Sequence, residues 1–165
     1  MTDPAADPRA RAALTTLRLN TRLFRNCVDG VSDGEALARP SERTNHLAFV
    51  AAHVVESRYW LARALGLDAA DPFGGRLEGA RGIDDVGACP TLAESRAAWD
   101  ALAPRLEDRL AALPASALDG APPARFPVDD PTLLGALAFL LQHESYHVGQ
   151  MALLRKHATG RAMKY

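Results

Sequence analysis

The sequence predicts an all-α protein, built as a four-helix bundle with long crossover loops. Apolar residues recur at three- and four-residue steps along four long segments, and this spacing places them on one face of a helix. β-branched and aromatic residues are sparse, and no stretch of strand length alternates apolar with polar residues. The 165 residues are 48% hydrophobic, which is enough for one self-supporting core, so a single domain over residues 1–165 is expected.

The first two predicted helices occupy residues 8–28 and 45–65. Gly30 and Gly66 follow them closely, and glycine favours the backbone conformation that ends a helix. Residues 67–90 are rich in Gly, Asp and Pro, a composition typical of irregular structure. The sequence therefore predicts a long crossover loop after the second helix.

The third predicted helix spans residues 91–113. Thr91 precedes Glu94 by three residues, which is the spacing of a capping box at a helix N-terminus. Pro104 lies inside the segment. It is expected to kink or split the helix, because proline lacks a backbone N–H and clashes with the preceding turn.

The fourth predicted helix spans residues 130–157 and follows a proline-rich stretch over residues 119–130. Asp130 is expected as its N-cap, with Pro131 at the first helical position. Gly160 lies shortly after its end. Because the connections after the second and third helices are long, a simple up-down-up-down order does not follow from the sequence.

Charge and hydropathy argue against several classes of protein. The chain has 19 Lys and Arg against 20 Asp and Glu, whereas a binder of nucleic acid or anionic membranes carries a basic excess. Its longest apolar run, residues 133–141, is far shorter than the ~20 residues that span a bilayer. Residues 1–4 are acidic and polar, unlike a signal peptide, so a cytoplasmic protein is expected. Cys27 and Cys89 form no CxxC pair and are expected to be free thiols.

The placement of the histidines is the most informative feature of the sequence. His143 and His147 are four residues apart, so both rings lie on one face of the fourth predicted helix. The other residues in that row are apolar, and the row is expected to face the bundle interior. Two buried histidines are costly unless each has a partner. One divalent metal ion would satisfy both.

The second predicted helix offers further candidate ligands. His46 and His53 lie two turns apart, and either could meet the histidine pair across the bundle core. Three imidazoles from two helices would leave open coordination positions, as a catalytic metal site requires. His157, in the last turn of the fourth helix, is expected to interact with the helix C-terminus instead.

Two blocks of residues carry a family resemblance. Residues 45–53 read NHLAFVAAH, and residues 143–150 read HESYHVGQ. The second block matches the HxxxHxGQ pattern of the DinB-like, or YfiT-like, four-helix metalloproteins, which the chain resembles in helix order over nearly its whole length. In that family the remaining ligand is a histidine of the second helix, downstream of an asparagine near the helix start. The resemblance therefore implies His53, His143 and His147 as metal ligands.

Other residues of the two blocks are expected close to the metal. Gln150 lies three residues after His147 and would orient a ligand imidazole or a bound water. Asn45 and His46 would line the pocket. Glu144 lies on the shoulder of the ligand face and has three open roles: a catalytic base, a hydrogen-bond acceptor for a ligand, or a surface residue.

The resemblance implies an enzyme that uses one divalent transition metal, with zinc or nickel expected, to activate a thiol or water. A low-molecular-weight thiol would make it an S-transferase for a small-molecule substrate, and water would make it a hydrolase. Trp60 and Tyr146 are expected behind the ligands or in the lining of the pocket, as core residues rather than substrate contacts. The resemblance also suggests a homodimer.

Three alternatives to this enzyme remain open. The first is a non-catalytic metal-binding bundle that acts in a stress response, and the second is a bundle whose histidines bind no metal. The third is a metalloprotease, because residues 143–147 also match HExxH, in which the glutamate is the general base. The protease is the weakest, since such domains usually carry a sheet that binds an extended peptide, and this chain predicts none.

Overall fold

The computed structural model describes residues 7–165 as helices joined by turns and loops, with no strand in that range. The all-α prediction is therefore confirmed. Residues 1–4, which carried the expectation about a signal peptide, lie outside the described residues. The α-helices are α1 (Pro8–Val28), α2 (Asp33–Ala36), α3 (Leu47–Ala64), α4 (Leu92–Ala111), α5 (Ala115–Leu118) and α6 (Leu133–Thr159).

The four long helices form the predicted bundle. Helices α4 and α6 each pack against both α1 and α3. Around the bundle the order is therefore α1, α4, α3, α6, with α1 diagonal to α3 and α4 diagonal to α6. Since α3 is a neighbour of α6, side chains of these two helices can meet along a shared seam.

Two apolar clusters fill the core at opposite ends of the bundle, and they reveal the direction of each helix. We call the two the Leu106 cluster and the Trp99 cluster. The N-terminal halves of α1 and α6 belong to the Leu106 cluster, and their C-terminal halves belong to the Trp99 cluster. Helices α3 and α4 run from the Trp99 cluster to the Leu106 cluster. The order is thus up-down-down-up. The Leu106 cluster includes Leu17, Leu61, Leu106 and Leu137, and the Trp99 cluster includes Phe24, Phe49, Trp99 and Met151.

This order explains the long crossover loop over residues 67–90. Helices α3 and α4 run in the same direction, so the chain must return along the bundle, roughly 27 Å for a helix of 18 residues. The loop contains only one short 3-10 turn, Ile83–Asp85. Phe73 and Leu77 are buried against the Trp99 cluster and fix the loop to the bundle.

The helix ends follow their capping residues, with one correction. Thr91 and Glu94 form the predicted capping box of α4, and Pro104 lies within this helix without splitting it. The N-cap of α6 is Thr132 rather than Asp130. The Asp130 carboxylate instead accepts hydrogen bonds from the backbone N–H and the hydroxyl of Thr132, at 2.9 and 2.6 Å, and the helix starts two residues later than predicted.

None of the helices in the described part of the chain is long and apolar enough to cross a membrane. Cys27 is buried and Cys89 half-buried, and both are free thiols as predicted.

Two glycines of α6 are expected to respond oppositely to alanine. A Cβ at Gly135 would clash with the carbonyl oxygen of Asp130, whereas a Cβ at Gly149 would meet no atom of residues 7–165 within 4 Å outside its own helix backbone. Gly135→Ala should therefore lower the free energy of unfolding by about 1–3 kcal/mol through overpacking. Gly149→Ala should raise it by up to about 1 kcal/mol, because alanine favours helix. Urea unfolding of both variants checks this, and a loss of stability in Gly149→Ala would contradict it.

Candidate metal centre

Helices α3 and α6 bring three histidines together. His143 and His147 lie one turn apart on α6, and His53 reaches them from α3. The Nε2 atom of His143 is 3.4 Å from that of His53 and 3.1 Å from that of His147. One nitrogen of each ring lies within 4.8 Å of the other two. The three rings thus point at a common space in the seam between α3 and α6.

The spacing of these nitrogens fits a metal ion. Imidazole nitrogens bind zinc at about 2.1 Å, so two of them on a tetrahedral ion lie about 3.4 Å apart. The observed separations of 3.1 and 3.4 Å are close to this value. All three side chains are half-buried. The group could therefore hold one divalent ion and still leave it within reach of solvent.

The three rings are in the protonation state that a metal ligand needs. Burial lowers the pKa of His53 to about 4, with a further lowering by the charges of His147 and His143. Burial also lowers the pKa of His143 and that of His147. Neutral imidazoles carry a free lone pair on one ring nitrogen. At neutral pH each ring can therefore offer a nitrogen to a cation.

Gln150 contacts one of these rings. Its Oε1 atom lies 2.7 Å from Nδ1 of His147, which donates the hydrogen bond and leaves the lone pair on Nε2. The amide nitrogen of Gln150 donates to the hydroxyl of Tyr146 at 3.1 Å. The Nδ1 atom of His143, in contrast, is buried and has no hydrogen-bond partner among residues 7–165.

The structure places the other histidines away from this group. His46 is the N-cap of α3, and its Nδ1 atom accepts a hydrogen bond from the backbone N–H of Phe49 at 3.1 Å. Of the two histidines that could meet the pair, only His53 does so. Asn45 accepts a hydrogen bond from the backbone N–H of Ile83 at 2.9 Å and thereby holds the crossover loop. His157 is exposed in the last turn of α6.

Aromatic side chains flank the histidines along the seam. The ring of Trp60 packs edge-on against Phe126, at 5.1 Å between centroids. The ring of Phe139 lies 6.2 Å from that of His143. Tyr146 is 57% exposed, with its ring 5.1 Å from His147, so the prediction that it is a core residue is wrong. A residue at that place can touch a molecule bound beside the histidines.

Glu144 is buried rather than exposed. Its side chain is 1% accessible, and both carboxylate oxygens accept hydrogen bonds at 2.7 Å from Arg58, through Nε and Nη2. The surface role considered for Glu144 is therefore wrong. The role as a catalytic base is not supported either, because the carboxylate is bound on both oxygens by a cation in the core. The helical wheel places Glu144 on the shoulder of the ligand face, and in the bundle that shoulder is inside.

Arg58 is a core residue that was not predicted from the sequence. Its side chain is fully buried, and its guanidinium lies 3.3 Å from the centroid of the Trp99 ring. Arg58 lies four residues after Val54 and three residues before Leu61, and a charge at this helical spacing within an apolar stripe is the signal that could have found it. Thr21 and Asn20 interrupt the apolar stripe of α1 at the same level.

The chain matches the model of a known protein family over most of its length. No curated protein matches the chain. The model of the DinB superfamily matches residues 16–151, a segment that includes both blocks of the sequence resemblance and all three clustered histidines. Most of the chain is covered by this match, so the protein belongs to the DinB superfamily.

Proposed function

We propose that this protein is a metal-dependent enzyme in which His53, His143 and His147 bind one divalent transition metal ion. The observation that carries the proposal is the convergence of three Nε2 atoms from two helices at the spacing of a metal site. Zinc and nickel are the ions we propose first, because imidazole ligands suit both.

The chain's own residues prepare this site. Three neutral imidazoles add no negative charge, so a bound divalent ion keeps its full charge. When bound, the ion would supply Lewis acidity and lower the pKa of a thiol or water that reaches it. Gln150 holds His147 in the tautomer that presents Nε2. Tyr146 and Phe139 border the same space and would exclude part of the solvent.

The number of ligands favours catalysis over storage. Among residues 7–165, no fourth His, Cys, Asp or Glu joins the group of three. A closed, non-catalytic site usually has four protein ligands, whereas a catalytic site keeps a position for its substrate. We therefore propose that a thiol or a water molecule binds at that position and is activated there to attack a small-molecule substrate. With a thiol the protein would be an S-transferase, and with water it would be a hydrolase.

A metalloprotease is a weaker proposal. In the HExxH motif the glutamate must reach the attacking water as a general base. Glu144 is instead bound by Arg58 in the core. The described residues also contain no strand that could pair with an extended peptide.

Elemental analysis of untagged protein tests the metal site. We expect about one transition metal ion per chain in the wild type and almost none in a His143→Ala, His147→Ala double variant. His157→Ala is the matched control, since His157 is an exposed histidine of the same helix, and it should keep its metal. If the wild type binds no ion after soaking with zinc and nickel, the histidines are core residues and the proposal fails.

Activity then separates an enzyme from a passive metal binder. The loaded wild type and the double variant would be compared with thiol-acceptor pairs and with ester and amide substrates. Turnover by the wild type alone would support the enzyme. A metal-loaded wild type that is inactive with both substrate classes would favour the non-catalytic bundle.

A further inference from the structure

A buried ion pair joins α3 to α6 beside the three histidines. Arg58 follows His53 by five residues on α3, and Glu144 follows His143 directly on α6. The guanidinium donates two parallel hydrogen bonds of 2.7 Å to the carboxylate, and the side chains are 0% and 1% exposed. The helices that carry the histidines are therefore linked by a two-point contact within one residue of a candidate ligand.

The same ion pair touches all four long helices. The Nη1 atom of Arg58 donates to the hydroxyl of Thr21 on α1 at 2.7 Å, and Asn20 of α1 donates to Glu144 at 3.3 Å. The guanidinium stacks on Trp99 of α4. Apolar residues of the Leu106 cluster lie on one side of this polar group and those of the Trp99 cluster on the other. It forms the middle layer of the bundle.

Stability alone does not explain such a pair. Removing two charges from water costs about as much as their attraction returns, and well-packed apolar side chains of similar volume often serve a fold equally well or better. A buried ion pair fixes the relative position of the two helices, because its two parallel hydrogen bonds form in only one arrangement of them. Apolar side chains tolerate small shifts that such bonds do not.

The three histidines can share a metal ion only if α3 and α6 keep a fixed relative position. One residue of α6 corresponds to a rotation of about 100° and a rise of about 1.5 Å, so a small change in register separates the Nε2 atoms. Gln150 orients His147, but the buried Nδ1 atom of His143 has no hydrogen-bond partner in residues 7–165. The orientation of His143 therefore depends on how its helix is held, and Glu144 is the adjacent residue that holds it.

We propose that Arg58 and Glu144 are positioning residues that keep α3 and α6 in the register at which His53, His143 and His147 share one metal ion. The inference rests on the proposed metal site. It goes further by assigning the buried pair to metal affinity and geometry rather than to the stability of the fold.

An apolar replacement of the pair separates these two roles. In the Arg58→Met, Glu144→Leu double variant we expect a urea midpoint of the metal-free protein equal to or above that of the wild type. We also expect zinc affinity to fall about 10- to 100-fold, the range seen when groups that orient metal ligands are removed. The visible absorption of bound Co²⁺ should weaken and shift as the coordination changes.

Two controls separate register from general loosening. Arg18→Met, Glu107→Leu removes an exposed ion pair between α1 and α4 and should leave zinc affinity unchanged. Leu106→Ala creates a cavity at a fully buried position far along the core, and should lower the urea midpoint without changing zinc affinity in the folded protein. A loss of affinity in Leu106→Ala equal to that in the double variant would overturn the inference.

The remaining outcomes are also decisive. Wild-type zinc affinity in a folded double variant would overturn the inference and leave the proposed metal site intact. A wild type that binds neither zinc nor Co²⁺ would end both. If the double variant does not fold, Arg58→Lys replaces it, because lysine keeps the charge but cannot donate two parallel bonds. We then expect a loss of affinity on the order of ten-fold, and unchanged affinity would count against the inference.

Discussion

Arg58→Met is expected to lower the free energy of unfolding by about 3–5 kcal/mol, the usual cost of breaking a buried ion pair by removing one partner. Methionine fills much of the space over Trp99 but offers no hydrogen bond. Of its donors among residues 7–165, the Glu144 carboxylate, which is 1% exposed, would keep only the amide of Asn20, at 3.3 Å. A carboxylate in the core without its cation has lost the interaction that compensated its desolvation.

Urea unfolding at pH 7 of metal-free protein measures this loss without a contribution from bound metal. The matched control is Arg18→Met, which breaks an ion pair with Glu107 whose arginine is 61% exposed, and should change stability by less than about 1 kcal/mol. Equal effects of the two substitutions would contradict the assignment of Arg58 to the core. A stability loss that the additional substitution Glu144→Leu does not reverse would contradict the explanation by an unpaired carboxylate.

The helices could be predicted because their signals are local. Residues 8–28 match α1 at both ends, since Asp7 caps the helix and Pro8 suits its first position. The capping box at Thr91 likewise marks the start of α4. The start of α6 was predicted two residues early because Asp130 and Thr132 are both good caps. Only the three-dimensional arrangement decides that Asp130 binds Thr132 instead.

The arrangement of the helices depends on distant contacts that the sequence does not display. An apolar stripe indicates that a helix has a buried face, but it does not indicate which other helix packs against that face. The up-down-down-up order rests on which residues share the Trp99 and Leu106 clusters. The long loop before α4 was visible in the composition of residues 67–90, while its cause, two helices that run in the same direction, was not.

In the candidate site, too, the residues with a local signal could be predicted and those that depend on distant contacts could not. His143 and His147 could be paired from their four-residue spacing, and the resemblance selected His53 over His46, which in fact caps α3. The burial of Glu144 could not be predicted from its position on the helical wheel. Its burial depends on Arg58, a residue 86 positions away in the sequence.

The metal-free protein is expected to lose stability as the pH falls from about 6.5 to about 4. The pKa of His53 is 6.5 in the unfolded chain and about 4 in the folded one, because burial disfavours the charged ring. Over this interval the unfolded chain binds a proton that the folded chain does not, so protonation favours unfolding. The stability contribution is fully present above pH 6.5. Below the folded pKa it is lost, a change of up to about 3 kcal/mol for this one ring.

The prediction is checked by urea midpoints at pH 7, 6 and 5 in the presence of a chelator, with His53→Leu as the test variant. Leucine has no group that binds a proton, so the midpoint of this variant should fall less steeply with pH. His143, His147 and His46, whose pKa values are also lowered by burial, would supply the remaining slope. His157→Leu, which removes an exposed ring of the same helix that carries His143 and His147, is the matched control. Identical slopes for the wild type and His53→Leu would mean that the His53 ring is hydrated in the folded protein. At such a ring, protons would compete with a metal ion for the lone pair near pH 6.5, as they do at a free imidazole, whereas the buried ring should keep its ion to a lower pH.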